Sequence, residues 1–139
     1  MKRSSKTMIA AGLVFAAVLQ QARADVVVIV SAQSTTTTIT ASEISRVYLG
    51  DSNTMTPVDI ANPSRARREF YTKVVGKADS QVKANWSKLV FTGKASAPKE
   101  LPSGEDVVKA VAADPHAIGY VDRSFVNMTV KVILTVKSP

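Results

Sequence analysis

The stretch Thr56–Phe70, TPVDIANPSRARREF, decides how the chain is read. Val58, Asp59 and Ile60 alternate as in a β-strand, Asn62 suits a helix N-cap, and Pro63 suits the first helical position. Ser64-Arg65-Ala66-Arg67-Arg68 follows at once, so the stretch predicts a strand running into a capped, arginine-rich helix. Backbone N–H groups and cations gathered at a helix start suit an anion. Ser64 would add a hydroxyl donor, and Arg65 or Arg68 a bidentate partner for an oxyanion. Equally, these arginines suit a solvated helix face with Glu69 and Asp59 as partners.

Upstream, Val26-Val27-Val28-Ile29-Val30 is an unbroken β-branched run, suited to a strand covered on both faces as in a parallel sheet. Ser34–Thr38 reads as a polar loop. Thr40 and Glu43 form a capping box, Ile39 and Ile44 a hydrophobic staple, and Gly50 a left-handed stop. The strand before the key stretch is expected over Met55–Ile60, and its helix over Pro63–Val75, closed by Gly76. Downstream, Asp79 opens a third helix whose Val82, Trp86, Leu89 and Val90 form one apolar stripe. Trp86 reads as core. Thr92–Pro102 reads as a loop, Ser103 and Asp106 as the cap of a fourth helix stopped by Asp114-Pro115, and Ala117–Val121 and Val130–Val136 as the last strands. This order predicts an α/β fold, a single three-layer lobe with a mostly parallel sheet.

Residues 1–24 read as a secretory signal peptide: a basic start with Lys2, Arg3 and Lys6, a short apolar run from Met8 to Leu19, and Ala22-Arg23-Ala24 as the cleavage pattern. The remaining residues, 25–139, are expected to form one domain in the periplasm, with no stable membrane insertion after cleavage. The leader carries 4 of the 18 basic residues, which leaves 14 against 11 acids and a net charge of +3. Nucleic acid is therefore not an expected partner. The sequence has no cysteine and one histidine, His116, at an element boundary. The acids Asp51, Asp59, Asp79, Asp106 and Asp122 lack the spacing of a metal loop, and no phosphate-binding glycine loop or nucleophile elbow occurs. No catalytic residue, metal or cofactor is expected.

These residues in this order resemble the PstS-like, phosphate-binding branch of the periplasmic substrate-binding proteins, in particular its short single-lobe members. The resemblance runs through Ser42-Glu43-Ile44-Ser45-Arg46-Val47-Tyr48-Leu49-Gly50, Pro57-Val58, Arg68-Glu69-Phe70, Trp86-Ser87-Lys88-Leu89-Val90-Phe91-Thr92-Gly93 and Ala117-Ile118-Gly119-Tyr120-Val121. It implies phosphate or another oxyanion as ligand, and an ABC permease or another envelope protein as partner. Binders of that kind place a Ser-Gly-Thr turn at the helix start, where this chain has Pro63-Ser64-Arg65-Ala66; Ser64 matches in type and Arg68 is similar to a basic residue of short members. The first-strand loop, a second source of donors in the family, corresponds to Ser31, Ser34 and Thr35. The expected site is thus Asn62, Ser64, Arg65, Arg68, Ser31, Ser34 and Thr35, binding weakly or with a partner. The alternative is a ligand-free interaction, sensory or scaffold module of the envelope, or one that completes its cleft as a homodimer.

Overall fold

The computed structural model describes residues 25–137, so the expected signal peptide lies outside the described residues. The elements are β1 (Val26–Ser31), α1 (Ala41–Tyr48), β2 (Thr56–Ile60), α2 (Arg65–Phe70) with a π-helical turn (Tyr71–Val75), α3 (Asp79–Phe91), β3 (Lys99–Leu101), α4 (Gly104–Ala112), β4 (Ala117–Asp122), a 3-10 turn (Arg123–Phe125) and β5 (Val130–Val136). The five strands form one sheet in the order β3-β2-β4-β1-β5. β2 runs parallel to β3 and β4, while β1 is antiparallel to β4 and β5. All strands but β1 therefore point the same way.

β1 corrects one expectation. Its valines are fully buried, as the apolar run predicts, but the strand opposes both neighbours. Such a run reports cover on both faces, which helices supply here to a reversed strand as well. The two faces are read from β4, where successive side chains alternate. Gly119 faces α4 so closely that a Cβ would lie 2.8 Å from Val107 Cγ1 and 2.9 Å from Val111 Cγ2. Tyr120 faces the other way, stacking on Phe70 of α2 at 4.0 Å between ring centroids and meeting Tyr48 of α1. The sheet is thus the middle of three layers.

Local signals account for most boundaries. Thr40 Oγ1 accepts from Glu43 N and Ser103 Oγ from Asp106 N, capping α1 and α4. The Glu43 carboxylate does not close the box; it accepts instead from Arg46, Ser52 and Thr54. Gly50 and Gly76 stop their helices at φ 82° and 74°. The helix expected from Pro63 starts at Arg65 because Ser64, not Asn62, is the cap: its Oγ accepts from Arg67 N, and the Asn62–Pro63 peptide is cis. Widening at Tyr71 lets Gly76 N reach Tyr71 O at 2.7 Å. The loop expected over Thr92–Pro102 contains β3, whose three residues pair with Val58, Asp59 and Ile60. Trp86 is buried and donates from Nε1 to Tyr48 O, yet Val90, the end of the same stripe, is 52% exposed. β5 carries a bulge, with Val28 and Ile29 of β1 opposite Leu134 and Val132, so that Ile133 is the extra residue.

Candidate functional site

In open α/β sheets ligands gather outside the carboxyl ends of the strands. Here that end is marked by Ile60 of β2 and Asp122 of β4, with α2 and α4 starting beside them. Asp59, one residue before the end of β2, is 3% exposed and anchors a buried polar network. Its Oδ1 accepts from the Tyr120 hydroxyl and Ile60 N, and its Oδ2 from the Tyr71 hydroxyl. Arg67, also 3% exposed, pairs with Asp59 at 3.2 Å and Asp79 at 2.9 Å, reaches Glu100 at 3.2 Å, and donates to Ile60 O at 2.8 Å. Tyr48 donates to Val58 O and meets the Phe70 ring edge to face. No buried side-chain polar atom among the described residues lacks a partner.

Electrostatics follow from this burial. Burial pushes the Asp59 carboxyl above its ordinary value, against the pull of Tyr120, Tyr71, Arg67 and the Ile60 N–H. Burial disfavours the Arg67 charge, but Asp59 and Asp79 more than offset this and hold the guanidinium protonated beyond its usual range. All three tyrosines are raised, first by burial and next by the neighbouring Asp59 charge. Asp59 was legible as a partner of the helix arginines, but on a solvated face; its pair with Arg67 is buried instead. The signal that could have found this burial is a carboxylate between two apolar strand residues, plus an arginine sharing a helix face with aromatics three and four residues on.

The expected site residues fall into three places. Asn62 and Arg68 line one cavity of about 220 Å³ together with Lys77, Thr72, Ala78 and the first residue of α3, Asp79. There the Asn62 amide donates to Asp79 Oδ2, while Arg68 and Lys77 are exposed and their side chains make no bond among the described residues. Ala78 has no side-chain acceptor with which to cap α3, and the N–H groups of Asp79 and Ser80 are unbonded among the described residues. Ser64 lines a second cavity, about 250 Å³, with Ser103, Gly104 and Asp122. Both hydroxyls in it are committed to caps, and Arg65 beside it is bound by Glu69 and Asp122.

Ser31, Ser34 and Thr35 stand apart. Because β1 is reversed, Val26 lies across from Asp122, and Ser31 lies five residues away, roughly 16 Å at the rise of a strand. Ser31 Oγ donates to Ala112 O, Ser34 O accepts from Lys131 Nζ, and Thr35 is exposed. The grouping of these three with Asn62, Ser64, Arg65 and Arg68 is therefore corrected: the strand direction puts them at the opposite end of the sheet. His116 is exposed, and no group of acids or histidine among the described residues has the arrangement of a metal site. No helix among the described residues is long and apolar enough to cross a membrane.

Comparison with known proteins establishes the fold. No family model matches the sequence, and no curated protein matches it. Among solved structures, a protein from Clostridium perfringens described as a phosphate ABC transporter substrate-binding protein, with bound phosphate, aligns at TM-score 0.62 and 20% identity over 80% of this chain and 45% of that one. An ABC-type phosphate transport receptor from Vibrio cholerae gives 0.63 and 17% over 80% and 46%. PstS from Borrelia burgdorferi gives 0.59 and 12% over 80% and 47%. The fold is that of a periplasmic-binding-protein-like lobe, and the chain spans somewhat less than half the length of these proteins.

Proposed function

We propose that the chain is an exported, periplasmic, non-enzymatic binding module that takes phosphate or a related inorganic oxyanion weakly, in the cavity of Asn62, Arg68 and Lys77. The observation that carries this reading is the charge of that cavity: Arg67, Arg68 and Lys77 face it against the single carboxylate of Asp79. Asp79 is already bound by Arg67 and Asn62, which leaves Arg68, Lys77 and the uncapped start of α3 for an anion. The neighbouring cavity at Ser64 is less suited, since an anion there must displace Asp122 or Glu69 from Arg65. That solved proteins of the same fold include one with bound phosphate supports the ligand class.

Magnitudes limit the affinity. A helix start contributes about 0.3–1 kcal/mol, and each exposed cation a similar amount. The sum of roughly 1–3 kcal/mol falls short of the about 4 kcal/mol that corresponds to millimolar binding. Useful capture thus needs a second surface closing over the anion, from an ABC permease, another envelope protein or a second copy of the chain. Titration of residues 25–139 with phosphate and sulfate, followed by calorimetry and thermal shift, tests the reading. Heat that saturates between about ten and a few hundred millimolar and disappears in an Arg68→Ala/Lys77→Ala protein is expected; no heat and no shift at several hundred millimolar anion overturns it. Phe91, 92% exposed at the end of α3, favours a second reading in which the chain is an interaction or scaffold module of the envelope and needs no ligand.

A further inference from the structure

Positive charge is unevenly spread along the chain. Residues 80–99, from the first turn of α3 to the first residue of β3, hold Lys83, Lys88, Lys94 and Lys99 and no acid. The rest of residues 25–139 hold 10 basic and 11 acidic residues, so the excess of positive charge lies wholly in this stretch. The acids that border it, Asp79 and Glu100, turn onto Arg67. All four lysines are exposed, and none of their side chains makes an ion pair or hydrogen bond among the described residues. By contrast Lys73 reaches Lys137 O, Lys109 reaches Glu105 and Lys131 reaches Ser34 O. On the solvent side of α3, Lys83, Ser87 and Phe91 follow at i, i+4 and i+8, and Lys88 precedes Phe91 by three. Lys94 N donates to Leu89 O at 3.0 Å, which folds the chain back and brings Lys94 to the same end of the helix. That end carries the almost fully exposed Phe91 and the half-exposed Val90. Asp51, which lines a cavity with Lys94, offsets one of the three charges; Lys99, on β3, lines a cavity with Asp114 and is not part of this face.

We propose that the end of α3 docks reversibly on an anionic lipid bilayer, with Phe91 and Val90 at headgroup depth and Lys83, Lys88 and Lys94 over the headgroups. An apolar tip and nearby cations act together there, because binding grows with buried apolar area and with attraction to anionic lipid. A bilayer presents negative charge without fixed geometry, which suits flexible lysine stems. A protein carboxylate is better matched by the arginine fork, and interfaces between proteins are depleted in lysine. No arginine lies between Arg68 and Arg123. The contact is peripheral and needs no spanning helix. It does not depend on anion binding at the cavity of Asn62, Arg68 and Lys77, and uses none of those residues.

The test sediments residues 25–139 with vesicles of phosphatidylglycerol and phosphatidylcholine in equal parts, and with phosphatidylcholine alone, at low salt. A lysine close to an anionic surface contributes about fivefold to partitioning, so the mixed vesicles should bind at least about tenfold better than the neutral ones. Salt at about 0.5 M should remove most of that difference by screening. Lys83→Gln/Lys88→Gln/Lys94→Gln should lose about tenfold or more on the mixed vesicles, and Phe91→Ser severalfold. Lys73→Gln/Lys109→Gln/Lys137→Gln removes the same charge elsewhere and should lose far less. Every replaced residue is exposed, so circular dichroism should match the parent. No sedimentation at millimolar anionic lipid, equal binding to neutral vesicles, or equal loss in the two lysine variants overturns the proposal. So does binding to polyglutamate or self-association, abolished by the α3 lysine variant, in a protein that ignores vesicles; these outcomes assign the face to an acidic protein or a second copy.

Discussion

Above about pH 10 an unfolded chain releases its tyrosine protons, and all three tyrosines of this sequence, Tyr48, Tyr71 and Tyr120, are buried in the fold. Burial and the nearby Asp59 charge raise every one of them above that value. Below pH 10 folded and unfolded states hold the same tyrosine protons, so the phenols contribute no pH dependence. Above it the unfolded chain holds fewer protons than the folded one, and stability falls as pH rises. Each tyrosine contributes about 1.4 kcal/mol per pH unit, so the three together remove about 4 kcal/mol per unit. A domain stable by about 5–15 kcal/mol is then exhausted within roughly 1–4 units. Alkaline titration followed by phenolate absorbance and far-ultraviolet circular dichroism checks this. Both signals should change together in one cooperative step, with no phenolate while the fold persists. Tyr71→Phe should lower the starting stability but reduce the slope of stability against pH by one third. A phenolate signal rising gradually around pH 10 in a folded protein would refute the reasoning.

Arg67→Met should cost about 3–5 kcal/mol in urea unfolding, because it leaves Asp59 buried without its cation, whereas Arg65→Met at its partly exposed pair should cost about 1 kcal/mol. Gly50→Ala and Gly76→Ala share a left-handed backbone and a cost of about 1–2 kcal/mol. Gly50 adds a collision, with its new Cβ 2.8 Å from Leu89 Cδ1, so its thermal midpoint should fall further than that of Gly76→Ala, which meets nothing within 4 Å. Gly119→Ala should destabilise by about 1–3 kcal/mol through overpacking against Val107 and Val111, measured in the same way. Arg68→Glu should leave the urea midpoint within about 0.5 kcal/mol of the parent, since Arg68 is exposed, while abolishing any heat of phosphate binding.

What could be read from the sequence was local. Thr40 and Ser103 cap as their spacing says, Gly50 and Gly76 stop their helices, and Val26–Val30 is buried throughout. What could not be read depends on partners distant in the chain. The direction of β1 is set by its pairing with Asp122 to Ile118, which leaves no mark on a run of valines. Asn62 looks like a cap until Asp79, 17 residues on, takes its amide. Arg67 sits among four polar or basic neighbours in sequence, yet its helix face carries it inward onto Asp59, Asp79 and Glu100. β3 was hidden because three residues, Lys99-Glu100-Leu101, carry no periodicity and exist as a strand only against β2. Asn62, Ser64 and Arg68 do line cavities at one end of the sheet, but their grouping with Ser31, Ser34 and Thr35 depended on strand direction, and that split it.

The two flanks of the sheet bear on how the chain meets other molecules. One flank is β3, only three residues long; the other is β5, apolar and seven residues long but kinked by the extra Ile133, with Lys131 tied to Ser34. A short flank and a bulged one are both poor templates for adding a foreign strand. Copies crowded together would thus resist zipping into fibrils through their backbones. A companion molecule is steered instead toward side chains, at the carboxyl end of the sheet and along α3, where the cavities on either side of Arg67 open.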